Sequence, residues 1–472
     1  MKPKPIKTSL NFLIMLDSNF SPMTKEECLE DLRERLFSPK SSSAVALDSP
    51  GKVGLEQEAF AFVKDSQTGQ PIRPTSLYEG ASPLARLLGE KCQNRGGKAH
   101  FFGTKDSPKI DKISFASGDN FQFEPGGQVE IATAPYSSLI ELEQNLKKMQ
   151  GILEEIQEEN PVTFAQIGTH PYFTGEEIGL QLPKPRYRHL QSYFNSLHPA
   201  GQQMMLQTCS QHINLDLGEK EETQLLRIGV AQGICPLLSA IFANSPILER
   251  KNSGKKSLRS TLWKNLDSKR TGFWIPEKEI HSKEAWIEAY SKMAFNAPLL
   301  NVKGIDDCWF GGPFTWAYWL ENEIEGRKPT FFDWENHLSL LFPQVRMKGF
   351  LEVRATDALS RNWQIVPAAF LSGIIYSSKS LEATWEILAP KIHKLDLLCQ
   401  QASDGLKEDE IFRMAGEIFQ VAGDGLQSLP ETFRSDSQIQ LLESFFEHFT
   451  AKRRTPADDL LEKLSLNKPL IY

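Results

Sequence analysis

The stretch FQFEPGGQVEIATAP, Phe121–Pro135, decides how the rest of the chain is interpreted. With the two-residue period of a β-strand, Gln128 and Glu130 share one face, and more apolar side chains alternate with them on the other. Glu124 stands just before a Gly-Gly turn, where a charged ligand could approach the backbone closely. An ordinary hairpin with a solvated glutamate would show the same pattern. The other strands therefore decide between a ligand site and a surface hairpin.

Three more segments combine one apolar face with one face of ligand-type side chains. These side chains are Glu56 and Glu58 in Val53–Val63, His212, Asn214 and Asp216 in HINLDL, and Glu352 and Arg354 in GFLEVRAT. Carboxylates that share a strand face repel each other unless a cation lies between them, and hard divalent cations prefer oxygen ligands. Each pair alone could lie on a solvated edge. Their recurrence in four distant segments favours one common site.

These strands predict an α+β fold. We expect one mainly antiparallel, curved sheet whose apolar face is covered by helices and whose polar face surrounds a ligand. Residues 1–50 are predicted to form a helical extension and linker, with a helix that begins at the capping box of Thr24 and Glu27. Residues 51–370 are predicted to form the catalytic core, and residues 371–472 a helical layer on the same domain.

Two basic segments are predicted to be loops. PKPRYRH, 183–189, contains Arg186, and 253–274 contains six lysines and arginines among Gly and Ser. GKKS in the second segment is not a phosphate-binding P-loop, because Glu249 occupies the position of the required first glycine. Solvated basic loops are common, but such loops can also bind anions. The apolar segment 225–244 is predicted to be helical and bent or interrupted at Pro236.

Composition excludes several classes of protein. The net charge of −7 argues against a general nucleic-acid binder, which would show a basic face and a high pI. No run approaches the ~20 apolar residues that cross a bilayer, and the apolar N-terminal segment is too short for a signal peptide, so we expect no membrane association. The six cysteines are widely spaced without a C-x-x-C pair, which fits reduced thiols in a cytoplasmic protein.

Acidic strand faces together with Arg and Lys segments suit magnesium-nucleotide chemistry. Carboxylates bind the cations, and cations and arginines bind phosphate oxygens, so that charge developing during phosphoryl transfer is neutralised. A metal-dependent hydrolase is the general alternative. Its sites usually contain several histidine ligands, whereas this chain has nine histidines and no H-x-x-x-H pair.

Several longer motifs resemble one known family. VGLEQE, FEPGGQVEIATAP, LPKPRY, MMLQTCSQHINLD, LRSTLW with LDSKRTG, and DWENHLSLLFPQVRMKGFLEVRATDA follow one another between Val53 and Pro367. They resemble the plant-type and proteobacterial glutamate–cysteine ligases. The resemblance implies a glutamine-synthetase-like fold and a reaction in two steps. ATP phosphorylates the γ-carboxylate of glutamate, and the amine of cysteine then displaces phosphate from γ-glutamyl phosphate.

The resemblance also implies roles for individual residues. The predicted catalytic residues are Glu58, Arg259 and Arg270. Predicted substrate-binding residues are Thr208, Arg186, Arg259, Trp263 and Arg270. Predicted ATP contacts are Glu124, Gln128, Glu352 and Arg354, and predicted Mg²⁺ ligands are Glu56, Glu58, Glu124, Glu130 and Glu352. Asn265 and His212 depart from the family pattern, and we interpret His212 as a hydrogen-bonded polar neighbour of the site.

We therefore expect glutamate, cysteine, ATP and Mg²⁺ as ligands, no nucleic-acid partner, and a monomer or homodimer. Two alternatives remain. The first is a related carboxylate–amine ligase that joins glutamate to another amine. The second is a catalytically silent relative that binds nucleotide.

Overall fold

The structure is a computed structural model that describes residues 21–38, 50–80, 82–302, 313–466 and 468–470. Most of the predicted N-terminal extension, residues 1–20 and 39–49, lies outside this part of the chain. Its described helix runs over Lys25–Phe37 and begins with the predicted capping box between Thr24 and Glu27. That prediction is confirmed.

Within the described residues, ten strands form one open sheet and two short strands form a separate hairpin. The strands are β1 (Val53–Lys64), β2 (Pro71–Pro74), β3 (Lys98–Thr104), β4 (Ser107–Ser114), β5 (Asn120–Phe123), β6 (Val129–Ala132), β7 (Val162–Ala165), β8 (Ser210–Asp216), β9 (Ile247–Leu248), β10 (Lys251–Asn252), β11 (Val345–Met347) and β12 (Phe350–Asp357). The main order is β11-β12-β8-β1-β6-β5-β4-β3, and β2 and β7 pair with the second half of β1. The pairings between these strands are antiparallel. The predicted α+β class with a mainly antiparallel sheet is confirmed.

Helices lie on both sides of the sheet. They are α1 (Lys25–Phe37), α2 (Leu84–Gln93), α3 (Leu139–Glu159), α4 (Gly175–Ile178), α5 (Pro185–Leu197), α6 (Ala200–Gln207), α7 (Glu221–Ile241), α8 (Leu258–Lys264), α9 (Lys283–Asn296), α10 (Trp316–Glu321), α11 (Phe331–Ser339), α12 (Val366–Ile375), α13 (Ser378–Leu388), α14 (Leu395–Ala402), α15 (Asp409–Ser428), α16 (Asp436–His448) and α17 (Pro456–Ser465). Leu55, Ile131, Ile213 and Val353 belong to the core beneath α3, α7 and α12. The polar residues that alternate with them therefore face the opposite side of the sheet.

The predicted domain division stays a prediction. Its boundary at residue 370 falls inside α12, and one hydrophobic core contains residues from α1, the sheet and α16. By length and composition, α7 is the one helix in the described part that could cross a membrane, and 94% of its most apolar window is buried inside the protein.

Two predicted loops were wrong, and one alternative for a helix is excluded. The segment 183–189 is not a loop, because α5 begins at Pro185, whose fixed φ and missing N–H suit the first helical position. The basic segment 253–274 contains α8, which begins after Ser257, whose hydroxyl accepts a hydrogen bond from the Ser260 N–H. Pro236 lies inside α7 without interrupting it, and the alternative of a bend there stays a prediction. The burial of nearly every side chain around Pro236 offsets the lost backbone hydrogen bond.

The crossing of α12 and α15 depends on two glycines. A Cβ added to Gly373 would lie 2.2 Å from the Ala422 carbonyl oxygen, and one added to Gly425 would lie 2.1 Å from the Gly373 oxygen. Gly373→Ala should therefore lower the free energy of unfolding by about 3 kcal/mol in urea denaturation, because two backbones must separate. Gly416→Ala, also on α15, is the control. Its Cβ meets nothing within 4 Å, so we expect no loss of stability. Equal stability of the two variants would contradict this packing.

Candidate active site

A cavity of about 310 Å³ opens on the polar face of the sheet. Its charged and polar lining consists of Glu56, Glu58, Gln122, Glu124, Gln128, Glu130, Arg186, Thr208, Ser210, His212, Ser339, Arg346, Lys348 and Arg354. Its apolar wall consists of Pro125, Tyr187, Leu190, Phe194, Met204, Met205, Trp263 and Phe342. Of the twelve predicted site residues, this lining contains nine and leaves out Arg259, Arg270 and Glu352. The four polar strand faces therefore meet at one place, as the sequence predicts.

The acidic side of the cavity is formed by β1 and β6 with the turn before β6. The register places Glu58 directly opposite Glu130, and Glu56 one step along the same face of β1. Like charges that face each other across two strands destabilise a sheet. The arrangement is therefore costly unless a proton or a cation neutralises part of this charge.

Two carboxyl groups on the acidic side have raised pKa values. Burial, reinforced by Glu58, raises the pKa of Glu124 to about 8 although Arg354 opposes the shift. Burial, reinforced by Glu56 and Glu124, raises the pKa of Glu130 well above its usual value. Both carboxyl groups therefore favour the neutral form until a positive ligand arrives.

Glu56 and Glu58 are joined by a chain of hydrogen bonds through β8. His212 Nδ1 lies 2.8 Å from Glu56 Oε2, and His212 Nε2 lies 2.8 Å from Ser210 Oγ. The Ser210 hydroxyl and N–H both contact the Glu58 carboxylate, at 2.8 and 2.6 Å. Burial and Arg354 lower the pKa of His212, whereas the pKa of Glu56 is held below its usual value by His212 despite burial. His212 is thus the hydrogen-bonded neighbour that the sequence predicts, and it also lines the cavity.

The opposite side of the cavity is cationic and is formed by the β11–β12 hairpin. Glu352 is fully buried beneath it and forms ion pairs with Arg346, Lys348 and Arg354. These three cations hold the pKa of Glu352 well below its usual value although burial opposes the shift. Glu352 does not line the cavity, but each of its three partners does.

The predicted substrate contacts lie between these two sides. Arg186 at the start of α5 lines the cavity and weakly opposes the rise of the pKa of Glu124. The Trp263 ring lies 5.9 Å from the guanidinium carbons of both Arg259 and Arg354, and its buried Nε1 has no hydrogen-bond partner among the described residues. Thr208 follows α6, and its hydroxyl donates to the Met204 carbonyl oxygen at 2.7 Å. Trp263 therefore retains an unused donor in the cavity lining.

The structure does not bring Arg270 or Arg259 into the cavity. The fully buried Arg270 donates to Asp267 and to the carbonyl oxygens of Leu340 and Pro298, at 2.8, 2.8 and 2.6 Å. Arg259 lies behind Trp263 and donates to the Arg354 carbonyl oxygen at 3.0 Å. Both guanidinium groups thus connect protein segments to one another, which differs from the catalytic and substrate-binding roles that the resemblance implies.

The Gly-Gly turn approaches protein backbone where the sequence predicts a ligand. A Cβ added to Gly126 would lie 2.6 Å from the Leu206 carbonyl oxygen. Gln128 connects the turn to the residues that follow α6. Its Oε1 accepts a hydrogen bond from the Gly126 N–H, and its Nε2 donates one to the Thr208 carbonyl oxygen. Gln128 thus fastens the turn to the end of α6, and the ligand contact expected at this turn stays a prediction.

Five polar lining residues were not predicted from the sequence: Arg346, Lys348, Ser210, Gln122 and Ser339. A signal existed for the first two. VRMKGFLEV has a glycine where a hairpin can turn, and Gly349 has φ +76°. Folding the segment there places Arg346 opposite Glu352 and Lys348 on the same face. The other three carry no comparable signal, because an isolated polar residue on a strand or at a helix end is common.

The donors in the cavity suit a hard divalent cation. Among the described side chains, no group of three or more His, Cys, Asp or Glu is already arranged around one metal position. The acidic side is nevertheless built from carboxylate oxygens, and Glu124 and Glu130 share their neighbourhood with Glu58 without an ion pair among the described residues. A cation would offset the burial and the like charges that raise their pKa values, so the residues fit such an ion.

A cavity with carboxylates on one side and Arg and Lys on the other is typical of enzymes that transfer phosphoryl groups with a divalent cation. Comparison with known proteins identifies the family. The sequence model of the family described as glutamate–cysteine ligase family 2 matches residues 52–445 of this chain. The chain therefore belongs to glutamate–cysteine ligase family 2.

Individual relatives agree with this assignment. The chloroplastic glutamate–cysteine ligase of Medicago truncatula is 29% identical over 424 residues, which cover 86% of this chain and 76% of the relative. The chloroplastic glutamate–cysteine ligase of Arabidopsis thaliana is 30% identical over 383 residues, which cover 78% of this chain and 68% of the relative. A solved structure of the Francisella tularensis glutamate–cysteine ligase in complex with AMP has a TM-score of 0.51 and 12% identity, covering 88% of this chain and 85% of that one. This last likeness shows the fold alone.

Proposed function

We propose that the protein joins the γ-carboxylate of L-glutamate to the amine of L-cysteine at the expense of ATP, through γ-glutamyl phosphate. A carboxylate is a poor electrophile, and phosphorylation gives it a good leaving group. The observation that carries the proposal is the two-sided cavity, in which Glu58 faces Glu130 and the β11–β12 hairpin presents three cations. Family membership supports the same reaction.

The acidic side has the chemistry to hold Mg²⁺. Glu58, Glu124 and Glu130 are the carboxylates that would hold it, and the ion supplies positive charge to the phosphate oxygens when bound. Arg354, Arg346 and Lys348 provide charge-assisted hydrogen bonds to phosphate from the other side. Because these side chains are already held by protein contacts, they need little reorganisation when charge develops.

The apolar wall protects the reaction from water. Phe194 is completely buried, and Phe342 and Trp263 pack with ring centroids 5.8 Å apart at the edge of the cavity. An acyl phosphate hydrolyses if water reaches it, so an apolar wall favours attack by the bound amine. The wall therefore belongs to the proposed mechanism without supplying a reacting group.

A coupled assay for ADP release tests the proposal. We expect ADP only when glutamate, cysteine and ATP are all present, with γ-glutamylcysteine as the product in mass spectrometry. Competing amines in the same assay would reveal a ligase with another preferred amine. Nucleotide binding without product would indicate a silent relative and would refute the proposed activity.

The compartment of the protein stays a prediction. The relatives from Medicago and Arabidopsis are named chloroplastic, whereas the sequence led us to expect a cytoplasmic protein. Fractionation of cells that express the natural gene would distinguish plastid from cytoplasm.

Arg270→Lys separates a structural from a catalytic role for this arginine. Lysine cannot reach three separate acceptors with a planar fork, so we expect the free energy of unfolding to fall by about 2–4 kcal/mol. The KM for glutamate of the folded enzyme should stay close to that of the wild type. Lys269→Gln, at the neighbouring exposed position, should change neither quantity. A large rise in the KM for glutamate with unchanged stability would show that Arg270 binds substrate.

A further inference from the structure

A second cavity lies apart from the active site, between α3, β7, the loop after β12 and α17. Its volume is about 340 Å³, which is large enough for a small organic ligand. None of its described lining residues also lines the catalytic cavity, and the proposed reaction uses none of them. A ligand bound here would therefore occupy a site of its own.

Asn244 gives this cavity an unused hydrogen-bond acceptor. The residue is only 5% exposed, and its Nδ2 donates to the Gln166 and Ala358 carbonyl oxygens at 3.2 and 2.7 Å. These two hydrogen bonds fix the orientation of the amide. Its Oδ1 accepts no hydrogen bond from any described residue, yet this oxygen is not sealed off from solvent. Because Asn244 lines the cavity, its Oδ1 is available there to a donor on a ligand.

Three glutamines add further carboxamide groups to the same lining. Gln150 is 4% exposed and donates through its Nε2 at 3.1 Å to another buried glutamine, and its Oε1 has no partner among the described residues. Gln157 accepts two hydrogen bonds at Oε1, and its Nε2 donates to no described group. The side chain of Gln166 makes no hydrogen bond within the described part of the chain. The cavity thus offers both donors and acceptors from neutral groups.

The charged side chains of the described lining are two acids and two bases, which balance each other. Glu154 pairs with Arg361, and Asp459 pairs at 2.8 Å with Arg454 outside the lining. Lys463, the second base, also has a partner. A charged ligand would find no excess of opposite charge in this cavity, so the lining favours an uncharged molecule.

Aromatic rings complete the walls of the cavity. Phe164 of β7, Trp363 and Phe449 line it, and the Trp363 and Phe449 rings pack edge to face with centroids 5.7 Å apart. Aromatic side chains stack with planar bases, and asparagine and glutamine side chains pair with the N6 amino group and N7 of adenine. An adenine base therefore matches both the rings and the carboxamides of this lining.

We propose that this cavity is a second ligand site, which binds an uncharged nucleoside with an adenine base. The N6 amino group donates to Asn244 Oδ1, the glutamine carboxamides pair with the remaining edge of the base, and the aromatic rings contact its faces. The site lies outside the catalytic cavity, and the proposal does not depend on the proposed function.

Equilibrium dialysis of the full-length protein with labelled adenosine, without ATP, glutamate or cysteine, tests the proposal. An adenosine should bind in this cavity, and Gln166→Leu should weaken its binding about tenfold, because the change removes a donor and an acceptor at nearly constant volume. Gln440→Leu, at an exposed position of α16, is the matched control and should leave the affinity unchanged. Absence of adenosine binding, or an unchanged affinity of Gln166→Leu for adenosine, would overturn the proposal.

Two further measurements use the unaltered protein and remain decisive if Gln166→Leu does not fold. Irradiation of bound 2-azidoadenosine should attach label to residues 161–167 or 360–364, and label confined to segments of the catalytic cavity would overturn the proposal. Inosine carries a carbonyl oxygen in place of the N6 amino group, so it should bind at least about fivefold more weakly than adenosine, because two acceptors would face each other at Asn244. Equal affinity for the two nucleosides would overturn the assignment to adenine.

Discussion

Glu130→Gln should lower kcat by about 10³-fold or more while the protein remains folded. The amide has nearly the volume of the carboxylate but carries no charge. Glu130 faces Glu58 directly across β1 and β6, so its loss removes negative charge where we place the divalent cation. The same change should raise the free energy of unfolding of the metal-free protein by about 1–2 kcal/mol at neutral pH, because burial and then the neighbouring carboxylates force Glu130 to take up a proton on folding, which the amide does not need.

The two readouts of this variant must move in opposite directions. Activity is measured as ADP release with all substrates, and stability by urea denaturation in EDTA. Glu158→Gln, at an exposed position of α3, is the matched control and should leave both unchanged. A Glu130→Gln enzyme with normal turnover and a normal Mg²⁺ dependence would contradict a metal-binding role for this carboxylate.

The metal-free protein should lose stability relative to Glu124→Gln as the pH rises from about 5 to about 8. The pKa of Glu124 is raised from 4.5 to about 8 in the folded protein, chiefly by burial and then by Glu58. Below pH 4.5 the carboxyl is protonated in both states and carries no penalty. Between the two pKa values the unfolded state ionises freely and the folded state does not, so unfolding becomes easier. A pKa difference of one between the folded and unfolded states corresponds to about 1.4 kcal/mol.

Comparison with the variant isolates this one group. Other groups that titrate in the same range, such as histidines, contribute equally to wild type and Glu124→Gln and cancel in the difference. Added Mg²⁺ should reduce the slope, because a bound cation favours the ionised carboxylate. A difference in unfolding free energy that is independent of pH would show that Glu124 ionises normally in the folded protein.

The side of the sheet on which each strand residue lies could be predicted, because the alternation of polar and apolar residues is visible in the local sequence. Glu58 and Glu130 each stand in a segment whose other face is apolar, and burying that face forces the carboxylates to the opposite side. The meeting of distant strands followed from the recurrence of this pattern. The acidic side of the site was therefore accessible from the sequence.

The roles of the arginines and of Glu352 depend on contacts between distant segments, which alternation does not describe. Arg270 belongs to a strongly basic segment, yet it donates to carbonyl oxygens of Leu340 and Pro298 and turns away from the cavity. The neighbouring Arg259 is held by Arg354. The ion pair between Glu352 and Arg346 follows only from the register, which places the two residues opposite each other. These assignments needed the three-dimensional structure.

The transfer of oxygen-18 tests the central claim most directly. Glutamate labelled with oxygen-18 in its γ-carboxylate is converted with cysteine and ATP, and the released phosphate is analysed by mass spectrometry. If the two-sided cavity forms γ-glutamyl phosphate, one labelled oxygen from each fully labelled carboxylate must appear in inorganic phosphate for each peptide bond made. Product formation with unlabelled phosphate, or with the label in AMP, would contradict the formation of γ-glutamyl phosphate in this cavity.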